Sequence, residues 1–308
     1  MKQVMRARTA QSSAAKLPVI ISHPDKVFWP DEGYTKRDLA EYYRSIFPLL
    51  VTYVKDRMLS LERCPDGMLG ECFYQKQKPM GMPPGTPTKR IEHEGRSAKI
   101  TDYVVGGSLQ TQLALVNLGC IAVHVMATRA SSFRHPDWVC IDIDPMSGKF
   151  EDSARAALHV RAALDSLKLE SYVKTSGSRG VHVMVPIRLG PDVDEVLAFA
   201  QSFVQRVAAA HPDKLTVEHS IAARGNRVYL DPFRNGFGQT VVAPYSVRRR
   251  TQAPVSMPLQ WSEIKPGLKP ADFNIDNIKK LLKRSDPWRD FFKNRQSLKD
   301  ALRMLKSL

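Results

Sequence analysis

The chain has 308 residues, of which 43% are hydrophobic, so it is long enough and apolar enough to bury a sizeable core. Its 46 Lys and Arg against 31 Asp and Glu give a formal net charge of +15, which predicts attraction to a polyanion, with nucleic acid the first candidate. No apolar run reaches the length of a membrane span and no secretory pattern is visible, so the sequence predicts a cytoplasmic protein with no membrane partner.

The first part of the chain combines basic residues with a helix start. Residues 1–17 carry four cations and no acid, which predicts a disordered basic tail. Thr35, followed by Asp38 and an apolar periodicity, predicts the N-cap of an amphipathic helix whose first turn holds Lys36 and Arg37. The helix dipole makes this end unfavourable for cations and favourable for a phosphate, so a bound anion would offset the repulsion between the dipole and the two cations. The alternative is that both side chains are solvated at the surface.

Aromatic residues and a cation follow in the segment FYQK. The region from Val51 to Lys78 has the pattern of short strands, with Phe73 and Tyr74 next to Lys76. These rings could stack on unpaired bases, or one of them could belong to the core. Residues 79–90 are rich in Pro and Gly and predict a loop that ends a first lobe.

Asp142 and Asp144 form the strongest chemical signal, in the segment WVCIDIDP. They alternate with apolar residues, so a strand would place both carboxylates on one face. Two carboxylates at such a short distance repel each other unless a cation neutralises them, which predicts a divalent metal site. Asp192 and Asp194 have the same spacing but precede a helical periodicity, where they predict a helix cap instead.

The elements around these acids alternate between helices and strands. Helices are predicted over 109–118, 152–167 and 193–209, and strands over 121–126, 171–175 and 181–187. His124 lies on one of these strands, where a lone histidine is more often structural than catalytic. Helical segments are also predicted over 275–283 and 290–305.

Two further features predict contacts with phosphate groups and metal ions. The turn SGSRG, residues 176–180, could offer backbone N–H groups and the Arg179 cation to a phosphate; the alternative is a plain hairpin turn. Asp231 ends another apolar strand, and three carboxylates on strand ends can hold two divalent ions. Arg248 begins a run of three arginines at the end of a later strand.

The four cysteines show no pattern of a metal site. Cys64, Cys72, Cys120 and Cys140 have no Cys-x-x-Cys spacing and no paired histidines, so the sequence predicts no zinc. In a cytoplasmic protein they are expected to be reduced, mostly buried thiols.

These segments together resemble the polymerase domain of bacterial non-homologous end-joining ligase D, in the archaeo-eukaryotic primase superfamily. The matching blocks are HPDKVFWP with YTKRDL, FYQK, IDIDP, TSGSRGVHV, YLDPFRN and VVAPYSVR. They occur in the family's order from about residue 20 to 295. After Asp231 the sequence reads Pro-Phe-Arg, which differs from many relatives and leaves the role of Arg234 open.

The resemblance implies a role for each matched residue. Asp142, Asp144 and Asp231 would be the catalytic and metal-binding acids, with two Mn²⁺ or Mg²⁺ ions. The residues implied to bind the nucleotide are Ser176, Arg179, His182, Arg248, His124, Phe73 and Tyr74. Lys26 and Lys36 would bind the 5′-phosphate at a DNA break.

The resemblance further implies an α+β fold: a primase-like catalytic core with an RNA-recognition-motif-type sheet plus an N-terminal α/β lobe. The lobes would cover about 18–90 and 91–260, with C-terminal helices at about 261–308. The implied activity is nucleotide addition, preferring ribonucleotides, at DNA gaps and double-strand break ends. Partners would be DNA, NTP or dNTP substrates, a ligase and a bacterial Ku-type end-binding protein, at the nucleoid.

Two other classes of function are compatible with the same residues. Three carboxylates could serve a metal-dependent nuclease or phosphodiesterase, which would degrade a primer without nucleotide. A noncatalytic DNA-end-binding module would use the lysines and leave the acids without a role. An adenylylating ligase is disfavoured, because the Asp66-Gly67 pair lacks the lysine of a Lys-x-Asp-Gly motif.

Overall fold

The computed structural model describes residues 19–92 and 100–307, so the predicted tail over 1–17 lies outside the described residues. Helices in this part are α1 (Lys36–Val54), α2 (Leu109–Asn117), α3 (Phe150–Ser166), α4 (Val193–Ala210), α5 (Ile221–Arg224), α6 (Ile278–Leu282) and α7 (Leu298–Ser307). Short 3₁₀ helices cover Phe233–Asn235, Trp261–Glu263, Pro270–Asp272 and Ile275–Asn277. Strands are β1 (Val27–Trp29), β2 (Tyr34–Thr35), β3 (Leu59–Arg63), β4 (Phe73–Gln75), β5 (Thr88–Glu92), β6 (Ile100–Val104), β7 (Cys120–Val125), β8 (Thr128–Arg129), β9 (Ser132–Pro136), β10 (Trp138–Pro145), β11 (Tyr172–Thr175), β12 (Val181–Pro186), β13 (Leu215–Thr216), β14 (Val228–Asp231), β15 (Val241–Val242) and β16 (Pro258–Leu259).

The central sheet is built from β13, β14, β10, β12, β11 and β16, in that order. Its middle strands β10, β11, β12 and β14 pair antiparallel, and α3 and α4 connect them in a β-α-β-β-α-β sequence. This spatial order, with the fourth strand beside the first and the third beside the second, is that of an RNA-recognition-motif sheet. The predicted α+β fold with this sheet type is therefore confirmed.

Alternation along β10 divides its side chains between the core and the opposite face. Val139, Ile141 and Ile143 are at most 1% exposed and belong to the main hydrophobic core. Helices α3 and α4 both contact this strand. Because successive side chains point to opposite faces, the core packing of these residues leaves the carboxylates of Asp142 and Asp144 on the other face.

A second sheet has the order β15, β7, β3, β4, and all of its pairs are antiparallel. It combines β3 and β4 from the predicted N-terminal lobe with strands that lie later in the chain. Helix α1 packs against β7 and α2. The division of the chain into lobes at about residue 90 stays a prediction.

Both predicted helix starts are confirmed. The Thr35 side chain accepts from the Asp38 backbone N–H, and the Asp38 carboxylate accepts from the Thr35 backbone, which is a capping box at the start of α1. Asp192 caps α4 in the same way, with Glu195 as its partner. The second Asp-x-Asp pair is therefore a helix cap.

Several element boundaries differ from the expectation. Val51 to Val54 continue α1 rather than beginning a strand, and residues 88–90 belong to β5 rather than to a loop. Around Asp290 the chain forms turns, and α7 begins only at Leu298. None of the described helices has the length and apolar character needed to cross a membrane.

The expectation that all four cysteines are reduced is wrong for two of them. Cys64 and Cys72 form a disulfide, whereas Cys120 and Cys140 are free and buried. The bridge closes the connection between β3 and β4, whose antiparallel pairing brings the ends of this connection together. Sequence spacing alone could not reveal that proximity.

We expect Cys72→Ser to lower the free energy of unfolding by about 2 kcal/mol, because a bridge across eight residues restricts the unfolded chain. Urea unfolding without reductant would measure this difference. With reductant present, the variant and the parent protein should unfold at the same urea concentration. Equal stability without reductant would show that the bridge does not constrain the unfolded protein.

Candidate active site

The three predicted acids meet at the centre of the main sheet. Asp142 on β10 is the register partner of Asp231 on β14, and Asp144 lies two residues further along β10 on the same face. Asp142 and Asp231 are only 6% and 8% exposed. Residues more than 80 positions apart in sequence are thus brought side by side by strand pairing.

Arg234 lies between two of these carboxylates. Its Nε is 3.0 Å from Asp142 Oδ2 and 3.4 Å from Asp231 Oδ2. On the other side, His182 Nε2 donates to Asp142 Oδ1 at 3.1 Å. The guanidinium charge and the imidazole hydrogen bond therefore stabilise the ionised carboxylates, which burial would otherwise make costly.

The acids differ in how easily they ionise. Burial and then the neighbouring Asp142 raise the pKa of Asp144 to about 6, and the same two causes raise the pKa of Asp231. Burial would also raise the pKa of Asp142, but His182 and Arg234 outweigh it and hold this pKa well below its usual range. Two carboxylates that resist ionisation beside a third ionised one form a site that an additional cation would stabilise.

The donor set suits a hard divalent cation. Among residues 19–92 and 100–307, no three acidic, histidine or cysteine side chains are grouped as a preformed metal site. The carboxylates of Asp142 and Asp231 nevertheless approach the same nitrogen of Arg234, and carboxylate oxygens are the ligands that Mg²⁺ and Mn²⁺ prefer. Asp142 and Asp231 therefore present oxygen ligands of the kind that the predicted ions prefer, and Asp144 lies on the same face of β10.

The loop of residues 176–180 packs directly against β10. A Cβ on Gly180 would lie 2.7 Å from the Ile143 carbonyl oxygen and 2.9 Å from Asp144 Oδ1, so only glycine permits this approach. Gly177 has φ +69°, and a Cβ there would meet Arg248 Cγ at 2.5 Å. The Ser176 hydroxyl accepts from the backbone of Ser178 and of Gly180, which stabilises the turn.

A cleft of about 400 Å³ joins these groups. All of the predicted nucleotide-binding residues except Phe73 line it: Tyr74, His124, Ser176, Arg179, His182 and Arg248. The other lining residues are Asp142, Asp144, Ser178, Arg234, Thr240, Val241, Val242 and Arg250. Asp231 borders the cleft through its shared contact with Arg234. A larger cavity of about 750 Å³ lies elsewhere, between Tyr34 and the segment around Asp272.

Histidine and aromatic side chains occupy one side of the cleft. Tyr74 packs edge-on against the His124 ring, with centroids 5.4 Å apart. Burial, with nearby positive charges adding to it, holds the pKa of His124 well below its usual range. Phe73 points the other way, where Arg63 lies over its ring at 5.3 Å. Of the two aromatic candidates, the structure brings only Tyr74 to the cleft.

The three consecutive arginines after β15 do not all face the cleft. Arg248 and Arg250 line the cleft, and Arg250 Nε donates to Ser178 Oγ at 3.1 Å. Arg249 instead pairs with Glu62 at 2.9 Å. The chain turns tightly here, with the Arg250 backbone N–H donating to the Arg248 carbonyl at 2.9 Å, and this turn separates Arg249 from the other two arginines.

Lys26 and Lys36 lie apart from the cleft, near the start of α1. Lys26 Nζ pairs with Asp66 at 2.5 Å, and Lys36 Nζ donates to the Ser22 carbonyl at 2.8 Å. Burial, followed by the charge of Lys26, lowers the pKa of Lys36. The two ammonium groups are thus close enough to interact, as a shared phosphate site requires.

Two residues of this site had no assigned role in the sequence. Arg234 occurs three positions after Asp231, and the intervening 3₁₀ turn returns its side chain to the acids. Asn235 is fully buried and bonds both the N–H and the carbonyl of Cys140, at 2.8 and 2.7 Å. An arginine close after a strand-ending acid was the available signal for the first residue, but no pattern marked the second.

Comparison with known proteins places these residues in a described family. A family model of the LigD primase-polymerase domain matches residues 35–288. The multifunctional non-homologous end joining protein LigD of Pseudomonas aeruginosa is 30% identical over 302 residues, which are 97% of this chain and 36% of that protein. The bifunctional LigD of Bacillus subtilis is 31% identical over 88% of this chain and 44% of that protein.

A solved structure has the same fold. The polymerase domain of Mycobacterium tuberculosis Ligase D, in complex with DNA, aligns with a TM-score of 0.83 at 25% identity, covering 90% of this chain and 99% of that one. The chain thus corresponds to nearly all of a solved polymerase domain but spans less than half of the two curated relatives.

Removing the charge of Asp144 should stabilise the metal-free protein at high pH. Its folded-state pKa of about 6 exceeds the ordinary 3.8, so the stability due to the protonated form is present below pH 4 and lost as the pH rises through 6. We expect Asp144→Asn to raise the free energy of unfolding by about 2 kcal/mol at pH 8 and to leave it unchanged near pH 4.

Urea unfolding in EDTA at the two pH values would measure this effect. Asp192→Asn is the matched control, because asparagine caps a helix as well as aspartate does and should give no comparable gain. A less stable Asp144→Asn protein at pH 8 would contradict the electrostatic account.

Proposed function

Because the chain belongs to the LigD primase-polymerase domain family, nucleotidyltransferases of the archaeo-eukaryotic primase superfamily, we propose that it adds nucleotides to DNA 3′ ends at gaps and double-strand breaks during end-joining repair. The observation that carries the proposal is the meeting of Asp142, Asp144 and Asp231 beside a cationic cleft. Acids that bind metal next to arginines that bind phosphate are the two parts that phosphoryl transfer requires.

Asp142, Asp144 and Asp231 would hold two divalent ions, Mn²⁺ or Mg²⁺. Ions bound there would act as Lewis acids toward the primer 3′-OH and the α-phosphate. In the structure, Arg234 Nε contacts the carboxylates of both Asp142 and Asp231. With those two carboxylates engaged by cations, Arg234 would be available to contact a phosphate in the same cleft.

The triphosphate would lie along the loop 176–180 and the arginines that pack against it, since Arg248 contacts Gly177 and Arg250 donates to Ser178. Arg179 and Arg248 supply cationic donors to this cleft, and Ser176, which accepts from the backbone of Ser178 and Gly180, fixes the turn that carries Arg179. His182 would contact the same phosphates. Burial, and next the charge of Lys174, lower the pKa of His182 to about 4, so its ring is neutral at pH 7 and keeps its bond to Asp142.

His124 and Tyr74 would contact the sugar and base of the incoming nucleotide. Nε2 of His124 is buried and has no hydrogen-bond partner among the described residues, so it can bond a ribose hydroxyl. A ribonucleotide offers two adjacent hydroxyls, and this supports a preference for NTP over dNTP. The exposed Tyr74 ring offers a face for stacking.

Lys26 and Lys36 would bind the 5′-phosphate on the far side of a gap. Lys36 lies in the first turn of α1, where the helix dipole also favours an anion. The solved relative is a polymerase domain in complex with DNA, which supports DNA as the partner of this chain. Its setting would be the bacterial cytoplasm at the nucleoid, together with a ligase and a Ku-type end-binding protein.

We expect Asp144→Ala to abolish primer extension on a gapped duplex while DNA affinity stays within about threefold, because the acid serves the metal ions rather than the DNA. Extension assays with each NTP and dNTP, in Mg²⁺ and in Mn²⁺, would test this and show the sugar preference. Primer degradation by the parent protein without nucleotide would instead indicate a nuclease. Primer extension by the Asp144→Ala protein would show that the Asp144 carboxylate is not needed for the reaction.

Lys26→Ala should reduce extension only on gaps that carry a 5′-phosphate, by about tenfold, the scale of one charge-assisted contact. The control is Asp66→Ala, which removes the acidic partner of Lys26 and should keep or increase the advantage of the phosphate. An equal loss for Lys26→Ala on gaps with and without the phosphate would argue against the proposed role.

A further inference from the structure

Lys174 is a buried lysine that has no acidic partner among the described residues. It lies on β11 with 0% of its surface exposed. Its Nζ donates to Ser256 Oγ at 2.6 Å, and no carboxylate of the described residues is within 4.0 Å of it. An unpaired buried ammonium is costly to a fold, and such groups occur mainly where a charge has a function.

Strand register places Lys174 in line with the catalytic acids. Asp231 pairs with Asp142, Asp142 with His182, and His182 with Lys174, across four neighbouring strands. Opposed residues on antiparallel strands share a face and lie about 5 Å apart. Lys174 therefore extends the row of side chains that forms the floor of the cleft, although it does not border the cleft itself.

Electrostatic effects connect Lys174 to the residues that do border the cleft. Burial lowers the pKa of Lys174 to about 7, which Cys140 and Asp142 oppose and Arg248 reinforces. After burial, Lys174 is the largest cause of the lowered pKa of His182, and it also lowers the pKa of His124. Its field thus reaches the space where a ligand would bind.

A hydrogen-bond chain also connects Lys174 to the phosphate loop. Ser256 Oγ, which accepts from Lys174, donates to the Thr175 carbonyl at 2.8 Å. Thr175 is the last residue before the loop 176–180, and it is fully buried. The lysine therefore fixes the strand end from which the loop begins.

We propose that Lys174 is a positioning residue of the nucleotide site: its buried charge attracts the polyphosphate in the cleft, and its bond to Ser256 holds the base of the loop 176–180. The proposal rests on the proposed nucleotidyl transfer. It assigns a role to a residue that touches neither the acids nor the ligand.

The test is the affinity of Lys174→Met for nucleoside tri-, di- and monophosphates, measured by calorimetry. Methionine keeps the apolar stem and removes the charge. We expect about a tenfold loss for the triphosphate and a clearly smaller loss for the monophosphate, because attraction scales with ligand charge. Duplex DNA affinity should not change. Ser256→Ala is the matched control, since it removes the hydrogen bond but keeps the charge, and its loss should be the same for all three ligands.

Equal losses for the three phosphates in Lys174→Met, or none, would overturn the proposal. If wild-type protein binds no nucleotide, the proposed function fails as well; if it binds and extends while Lys174→Met behaves like wild type, only this inference fails.

Proton uptake by the wild-type protein gives a second measurement that does not depend on the folding of a variant. A polyphosphate near a partly neutral lysine should raise its proton affinity, so binding at pH 8 should take up protons, seen as heats that vary with buffer. The groups facing Lys174 are Cys140, Asp142, His182, His124 and Arg248. No uptake at pH 8 would overturn the inference.

Discussion

Repulsion between three carboxylates on one face of a sheet is the constraint on which this structure depends. Asp142 and Asp231 are strand partners in a nearly dry environment, where like charges interact far more strongly than in water. A face with these acids cannot pack against an apolar layer, so it must border a cleft that supplies cations. The apolar face of β10, covered by α3 and α4, supplies the packing that holds the acids in place.

Cationic side chains surround the three acids at increasing distances. Arg234 contacts them directly, Arg248 and Arg250 line the cleft beside the loop 176–180, and Lys174 lies beyond His182. An excess of cations around a small cleft suits a ligand that brings more negative charge than the acids already hold, which a nucleoside triphosphate with its primer does. The same arrangement explains why the protein retains buried charges that lower its stability.

The connection between β3 and β4 contacts Lys26 and leads into a strand that borders the cleft. The disulfide closes this connection; Asp66 within it pairs with Lys26, and β4, which begins directly after Cys72, carries Tyr74 into the cleft. The same short segment therefore orients Lys26, through Asp66, for the proposed DNA contact and Tyr74 for the proposed nucleotide contact. Burial alone would not give this loop a defined shape, because its backbone is largely at the surface.

Local sequence determined the elements and the identity of most site residues. Alternation fixed β10 and the shared face of Asp142 and Asp144, capping chemistry fixed the starts of α1 and α4, and ordered motif blocks identified the family. These properties depend on neighbours in the chain, so they can be read from it. Tertiary structure alone decided that Arg234 bridges Asp142 and Asp231, that Tyr74 rather than Phe73 reaches the cleft, that Cys64 meets Cys72, and that Lys174 lies in line with the acids. Each of these depends on strand register between distant segments, and register is set by how whole faces pack rather than by any local pattern.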